Sequence, residues 1–178
     1  RQSLYAVLVS IVFMLIYIAL RFDLKFGVGA IVALIHDVLA VLTVFSIFGL
    51  EIDAPIIAVL LTIVGYSVND TIIISDRIRE NLRLMRRKPV AEVANLSINQ
   101  TLARTINTSL TTMLPTLSLL FLGGKVLQNF SLAFAVGLVS GTYSTVYIAT
   151  AIVVWWRTFS ERRRKLYKEG QQVRAASK

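Results

Sequence analysis

The sequence is organised as long apolar runs, each close to the roughly 20 residues that cross about 30 Å of hydrocarbon as an α-helix. Surface helices of soluble domains instead keep a polar face along their whole length. A spanning helix pairs its backbone N–H and C=O groups within its own segment, as the bilayer interior demands. The sequence therefore predicts an all-α integral membrane protein.

Five such runs predict a bundle of five transmembrane helices, which occupies residues 1–158. The third begins with Pro55 in its first turn, where the missing N–H does no harm, and Gly123 with Gly124 ends the fourth. The predicted spans are approximately 4–20, 26–50, 54–75, 98–122 and 130–156.

The connection between the third and fourth predicted spans, residues 76–97, is long and basic. Pro89 is followed by small and apolar residues, so we predict a short interfacial helix that starts there. A basic tail at 159–178 follows the fifth span. It fits two roles, fixing the orientation of the chain or contacting anionic lipid.

The formal net charge of +9 is distributed unevenly along the chain. Basic residues cluster at Arg21 and Lys25, at 77–88 and at 157–178, which are alternate connections. The positive-inside rule places these clusters in the cytoplasm, and with them the C-terminus. Since no basic face interleaved with aromatic residues lies outside the spans, we expect no binding of nucleic acid.

Two ionisable residues are predicted at equal depth in neighbouring spans. Asp70 lies six residues before Asp76, taken as the inner end of the third span, and Arg104 lies six residues after Ile98 in the fourth. At 1.5 Å per residue, each is about 9 Å into the membrane, so the two can meet. An intramembrane acid is costly and usually functional, which favours an ion pathway, whereas a buried pair that only fixes helix register is the alternative.

Further polar residues accompany this pair. We predict a polar sector on the third span, and a polar stripe on the fourth, where such residues recur at intervals of three and four. The stripe suggests a hydrated or proton-conducting face, although threonine hydroxyls also bond to carbonyls of their own helix. The supporting residues that we select are Tyr66, Ser67, Asn69, Thr105 and Thr108, and the stripe comprises Thr101, Arg104, Thr105, Thr108, Thr111, Thr112 and Pro115.

His36 and Asp37 form a second polar pair, about 16 Å along the second span from its cytoplasmic edge. A packed, hydrogen-bonded pair and a titrating relay both fit these residues. Gly65 in the third span, and Gly137 with Gly141 in the fifth, are predicted to allow close helix packing.

Several classes of chemistry are not expected. The chain has no cysteine and one histidine, which excludes disulfides, thiolate sites and a metal site with several histidines. No arrangement of a nucleophile with a base, and no phosphate-binding loop, is present in the sequence. We therefore expect neither enzymatic activity nor a bound metal or cofactor.

Five segments together resemble the SecF family, membrane subunits that work with SecD beside the bacterial protein-export channel. They follow one another in the family's order over nearly the whole chain. A SecD protein would carry a GMAVDAN-type segment in place of residues 65–70, so this segment favours SecF. The segments are HDV at 36–38, LEID at 50–53, GYSVNDTIIISDRIRENLR at 65–83, SINQTLARTINTSLTT at 97–112 and GTYSTVYIA at 141–149.

The resemblance implies the architecture of the resistance-nodulation-division superfamily, in which this chain would supply spans two to six of a six-span half. It also implies proton-driven assistance to preprotein translocation at the bacterial inner membrane. The implied partners are SecD, the SecYEG channel and accessory export subunits, with the preprotein held by periplasmic domains that this sequence lacks.

The resemblance places the functional acid at Asp70 and the functional arginine at Arg104, with protons as the coupling ion. Asp70 would take a proton from the outer side and release it inward. Because a neutral Asp70 loses its attraction to Arg104, protonation would let the helices shift. Two alternatives remain: half of a proton-antiport exporter of small molecules, and a non-conducting scaffold of the export channel.

Overall fold

The computed structural model describes the backbone of residues 24–176, and side chains for residues 25–163 and Tyr167. Of the segment before residue 24, it describes six residues, all helical: Tyr5, Val9, Val12, Phe13, Ile16 and Tyr17. The rest of the first predicted span, 4–20, lies outside the described residues.

The described residues form helices joined by short connections, and no strand occurs among them. Four helical stretches are long and apolar enough to cross a membrane, and they correspond to predicted spans two to five. A single turn of π-helix interrupts the last stretch. The elements are α1 (Leu24–Ile47), α2 (Ala54–Leu84), α3 (Val90–Leu122), α4 (Lys125–Tyr143), the π-helical turn (Ser144–Ala149) and α5 (Thr150–Ala176).

The connection between α2 and α3 is much shorter than the predicted 76–97. Only residues 85–89 are non-helical, and Pro89 directly precedes the long α3 instead of a separate interfacial helix. Ion pairs one turn apart favour the helical extension of α2, because Arg77 contacts Glu80 at 2.6 Å. The predicted tail is likewise helical as far as Ala176. Hydropathy marks the part of a helix that lies in lipid, and these helices continue beyond it.

The centre of the bundle is α4 with the π-helical turn, which packs against α1, α2 and α3. Gly137 lies directly against the Ile63 side chain, and a Cβ at Gly29 would lie 2.8 Å from the Ala149 carbonyl oxygen. These glycines allow the close helix packing that small residues provide in membranes. At Gly65, by contrast, a Cβ would meet no described atom within 4 Å.

Two apolar clusters fill the interior of the described bundle. One is nearer the connection at 85–89 and the other nearer the α1–α2 connection. They comprise Phe26, Leu34, Val64, Val68, Ile74, Ile78, Ala94 and Val153, and Val41, Phe45, Ile56, Val59, Ile63 and Ala133.

Candidate functional site

Two hydrogen bonds fix the register of α2 against the antiparallel α3. The Tyr66 hydroxyl lies 3.1 Å from Thr112 Oγ1, and Asn81 Nδ2 donates to Ser97 Oγ at 2.8 Å. The two pairs are separated by the same number of residues on α2 as on α3, so the two helices stay in register between them. Asp70 is therefore level with residue 108, and Arg104 is about 6 Å nearer the connection at 85–89.

The structure places Asp70 and Arg104 in the same part of the α2–α3 interface, but in different surroundings. Asp70 is 2% exposed, and its Oδ1 has no hydrogen-bond partner among the described residues. Arg104 is exposed on the bundle surface. It acts on Asp70 through electrostatic attraction, without a direct bond to that oxygen. The sequence predicted equal depth for the two residues, whereas the structure offsets Arg104 by about 6 Å along the helix and buries only Asp70.

The threonine hydroxyls of α3 divide into two kinds. Five threonines donate to carbonyls of their own helix, as threonines in membrane helices often do. Thr105 differs, because it is fully buried and its Oγ1 has no partner among the described residues. It therefore resembles Asp70 Oδ1 as a buried polar atom whose bonding is incomplete. The five back-bonded residues are Thr101, Thr108, Thr111, Thr112 and Thr116.

One side of α3 is both polar and exposed. The residues on it recur at intervals of three and four, so they share a single face. This face includes only part of the predicted stripe, since Thr101 and Thr105 turn inward. Its exposed residues are Arg104, Asn107, Thr111, Pro115 and Ser118.

The predicted polar sector of α2 points in several directions. Tyr66 meets α3, Ser67 faces α1, and Asn69 is exposed. Successive helical residues are turned by about 100°, so residues 66 to 70 go around more than a full turn. The prediction of one sector was wrong for this reason.

Asp37 lies at the junction of α1, α2, α4 and the π-helical turn. It is fully buried and accepts hydrogen bonds from three serines. Ser140 Oγ donates to Oδ1 at 2.7 Å, while Ser67 and Ser144 donate to Oδ2 at 2.7 and 2.8 Å. His36 Nδ1 lies 3.3 Å from Oδ1. Of the two sequence interpretations, the structure shows the packed, hydrogen-bonded one.

Gly141 lies close to this junction. A Cβ on Gly141 would lie 3.3 Å from the Ser67 Cβ, a tight contact, and 3.6 Å from Asp37 Oδ2, an ordinary one. Sequence reasoning missed Ser140, although its signal was present. Gly137, Ser140, Gly141 and Ser144 recur at intervals of three and four, a small and polar face on one helix.

A further hydroxyl contact lies beside this junction. Thr71 Oγ1 is 3.0 Å from Thr145 Oγ1, and both residues are buried. Thr150 Oγ1 donates to the Thr145 carbonyl at 3.1 Å, which satisfies an acceptor in the π-helical turn. Such turns are frequent at functional sites. The contact between Thr71 and Thr145 was not predicted, because hydropathy does not reveal where a π-helical turn shifts the helical register.

The fold and this interior define a multi-pass, all-helical membrane protein with ionisable residues inside the membrane-spanning bundle. Residues 1–159 match the family model described as "Protein export membrane protein SecD/SecF, C-terminal". The chain therefore belongs to the SecD/SecF family, and the resemblance to SecF is confirmed.

Relatives support this assignment. The chain is 57% identical over 157 residues to protein translocase subunit SecDF of Thermus thermophilus, which covers 88% of this chain and 21% of that protein. It is 48% identical over 172 residues to protein translocase subunit SecF of Rhodothermus marinus, covering 93% and 56%. The chain thus spans about half the length of that SecF relative and a fifth of the SecDF protein.

A solved structure agrees with the fold. The crystal structure of SecDF from Thermus thermophilus, described as a translocon-associated membrane protein, matches with a TM-score of 0.84 at 56% identity. The match covers 89% of this chain and 22% of that one. The described helices are therefore arranged as in a SecDF protein.

Proposed function

We propose that this chain is the membrane-embedded part of a SecF-type subunit that uses the proton gradient, together with SecD, to promote preprotein translocation. The observation that carries the proposal is the buried carboxylate of Asp70, whose Oδ1 is unbonded in the described part of the chain, near the exposed Arg104. Relatives named protein translocase subunits supply the process. The location is the bacterial inner membrane, with the basic C-terminus in the cytoplasm.

Asp70 is suited to carry a proton because a change of its charge breaks no hydrogen bond at Oδ1. The ionised form is attracted to Arg104, and the neutral form is not. Binding and release of a proton therefore alter the force between α2 and α3. Two arrangements of these helices, populated according to that force, would transmit the proton's free energy to the rest of the machine.

The polar face of α3 supports a partner in the membrane. Arg104 and Asn107 are exposed on a helix that lipid would surround, and lipid offers no hydrogen bonds to them. A second multi-span subunit that covers this face satisfies those groups, and SecD fits this role. The SecYEG channel, accessory export subunits and the preprotein would then be contacted through the assembled complex and its periplasmic domains.

The decisive experiment is Asp70→Asn in the full-length protein with SecD, assayed by preprotein translocation into inverted vesicles. The amide keeps the size of the side chain and fixes one charge state. We expect gradient-dependent stimulation to be lost, while translocation driven only by the cytosolic ATPase continues. The matched control is Glu80→Gln, which neutralises an exposed carboxylate on the same helix.

Other outcomes of the Asp70→Asn experiment would favour other functions. Full stimulation in the Asp70→Asn variant contradicts the proposal and favours a non-conducting scaffold of the channel. Loss of a gradient-driven efflux of small molecules, with translocation unchanged, would indicate half of a proton-antiport exporter.

A further inference from the structure

A network of side-chain hydrogen bonds closes the α2–α3 interface near the connection at 85–89. Asn81 is 2% exposed, and its Nδ2 donates to Ser97 Oγ at 2.8 Å and to Gln100 Oε1 at 2.9 Å. Arg77 Nε donates to the same Gln100 oxygen at 2.6 Å, and Gln100 is exposed. We call Asn81, Ser97 and Gln100 the inner network. It extends from the buried interface to the surface at the end that the positive-inside rule assigns to the cytoplasm.

The inner network lies on the same side of α2 as Asp70. Residues 66, 70, 77 and 81 recur at intervals of four and seven, which keeps them on one side of a helix. Tyr66 and Asn81 both bond to α3, so this side faces α3. Asn81 is eleven residues beyond Asp70, about 16 Å along the helix axis. The network therefore lies between the buried acid and the cytoplasmic end of the interface.

A second incompletely bonded atom lies between Asp70 and the inner network. Because residue 108 is level with Asp70, Thr105 is three residues, or about 4.5 Å, nearer the network. Thr105 is seven residues from Thr112, which bonds to Tyr66, so it shares the side of α3 that faces α2. Its Oγ1, like Asp70 Oδ1, is buried and has no partner among the described residues. Water commonly satisfies buried polar atoms of this kind, bonding to about three of them at once.

The two directions away from Asp70 along this interface differ. Outward, the side of α2 that faces α3 continues from Tyr66 to Val59, which is fully buried in an apolar cluster. Inward, it continues to Arg77 and Asn81, whose hydrogen bonds water can replace. Opening apolar packing exposes hydrocarbon to water, whereas exchanging hydrogen bonds for bonds to water has a small net cost. The inner side is therefore the easier route for water to Asp70.

We propose that the inner network is the gate through which Asp70 exchanges its proton with cytoplasmic water. The network is closed in this structure, and Asp70 is 2% exposed. When α2 and α3 separate at Asn81, water enters and bonds to Asp70 Oδ1 and Thr105 Oγ1. The carboxylic proton passes to a water oxygen, and that water passes a proton on towards the cytoplasm, which leaves a carboxylate that attracts Arg104.

This inference rests on the proposed role of Asp70 as the proton carrier. Thr101 also lies on the route, but its hydroxyl donates to carbonyls of its own helix, so we assign it no part in the transfer. The gate adds a side from which the acid is reached, and that side can be measured without measuring transport.

The first test measures access to position 105 from each side of the membrane. Thr105→Cys introduces a thiol of similar size into a chain without cysteine, and any cysteine elsewhere in the full-length protein is replaced. A charged, membrane-impermeant thiosulfonate is added to inverted or to right-side-out vesicles that contain the protein with SecD. Asn81→Ala removes two bonds of the inner network and should raise the labelling rate in inverted vesicles at least about tenfold. The rate in right-side-out vesicles should not change.

Two further variants control this measurement. Asn81→Gln keeps both donors on a longer side chain and should return the labelling rate towards that of the parent. Asn95→Ala changes an exposed asparagine on α3 near the same end and should leave the rate unaltered. An equal increase in both kinds of vesicle would show that Asn81→Ala loosens the whole bundle, and would overturn the gate. An unchanged rate in inverted vesicles would overturn it as well.

A second measurement follows Asp70 itself. A water-soluble carbodiimide modifies carboxyl groups, and mass spectrometry of the modified peptide gives the rate at Asp70. Asp76, whose side chain is 39% exposed, is the reference on the same helix. With the reagent on the cytoplasmic side, Asn81→Ala should raise the ratio of modified Asp70 to modified Asp76 about tenfold, and Asn95→Ala should not. A ratio that Asn81→Ala leaves unchanged would mean that the acid is reached by another route.

Failure of the gate can be told apart from failure of the proposed function. Labelling that depends on Asn81, together with full gradient-dependent stimulation in Asp70→Asn, would reject the proton-carrying role and with it the gate's purpose. Labelling that is independent of Asn81, together with lost stimulation in Asp70→Asn, would reject the gate alone.

Discussion

Asp37 and Asp70 are both buried carboxylates between membrane-spanning helices, but their bonding is opposite. Asp37 accepts hydrogen bonds from serines on α2, α4 and the π-helical turn. Asp70 Oδ1 accepts none from the described residues. The cationic group that acts on Asp70 is Arg104, which is itself exposed.

This difference separates two uses of an intramembrane acid. At Asp37, a change of charge disturbs bonds to three elements at once, so the junction is suited to hold the helices together. At Asp70, no described residue bonds to Oδ1, and the same change alters a through-space attraction to Arg104, so this acid is suited to a reversible step. Both acids are buried, so burial does not distinguish them. Their hydrogen bonds do.

The largest contrast is expected in stability. Asp37→Leu leaves three serine hydroxyls without their acceptor and should destabilise the bundle by about 3 kcal/mol or more. Asp70→Leu removes no hydrogen bond at Oδ1 and should cost less than about 1 kcal/mol, because apolar replacement of such a group is often neutral. Unfolding of the purified full-length variants in detergent measures both. Equal losses would contradict the division of roles.

Arg104 tests the reversible site. Arg104→Ala removes the attraction to ionised Asp70 and should reduce gradient-stimulated translocation at least about tenfold, the effect of losing about 1.4 kcal/mol. Arg104→Lys keeps the charge without the planar, five-donor group and should restore only part of the rate. The assay is translocation into inverted vesicles at equal protein levels. Unchanged stimulation with alanine would exclude Arg104 from the coupling step.

Much of the fold follows from the sequence, since the apolar runs at 26–50, 54–75, 98–122 and 130–156 all correspond to observed helices. Hydropathy reports which residues suit lipid, which is why it found these runs but not the extension of α2 to Leu84. The motifs also indicated the family, which the comparisons confirmed.

The partners of the polar residues were harder to predict. The pairing of Ser67 with Asp37 depends on the rotation of α2 about its axis, and a change of about 100° moves a side chain to another neighbour. Thr71 and Thr145 meet beside a π-helical turn, whose shifted register hydropathy does not reveal. The sequence therefore predicted that both acids lie inside the bundle, where the structure buries them, while packing decided which of them is fully bonded.

Thr105 offers a finer test of the reversible site. Its hydroxyl is buried and unpartnered in the described structure, unlike the hydroxyl of Thr101 one turn earlier. Thr105→Val keeps the shape and removes the hydroxyl, and we expect gradient-stimulated translocation to fall about threefold to tenfold, as for one hydrogen bond made during the cycle. Thr105→Ser should retain the rate. Thr101→Val, which loses only a bond to its own helix, is the matched control and should have little effect.

The smallest expected effect on gradient-dependent translocation concerns one serine of the Asp37 junction. Ser140→Ala removes a single donor to Oδ1 and leaves Ser67 and Ser144 on Oδ2, with His36 still beside Oδ1. We expect a loss of about 1.5 kcal/mol in the free energy of unfolding, typical of one hydrogen bond to a charged group. Translocation should respond equally with and without the proton gradient, since the junction stabilises both states of the bundle. The control is Ser118→Ala on α3, whose exposed hydroxyl bonds only to its own helix. A selective loss of the gradient-dependent rate in Ser140→Ala would place Asp37 in the coupling step and remove the contrast with Asp70.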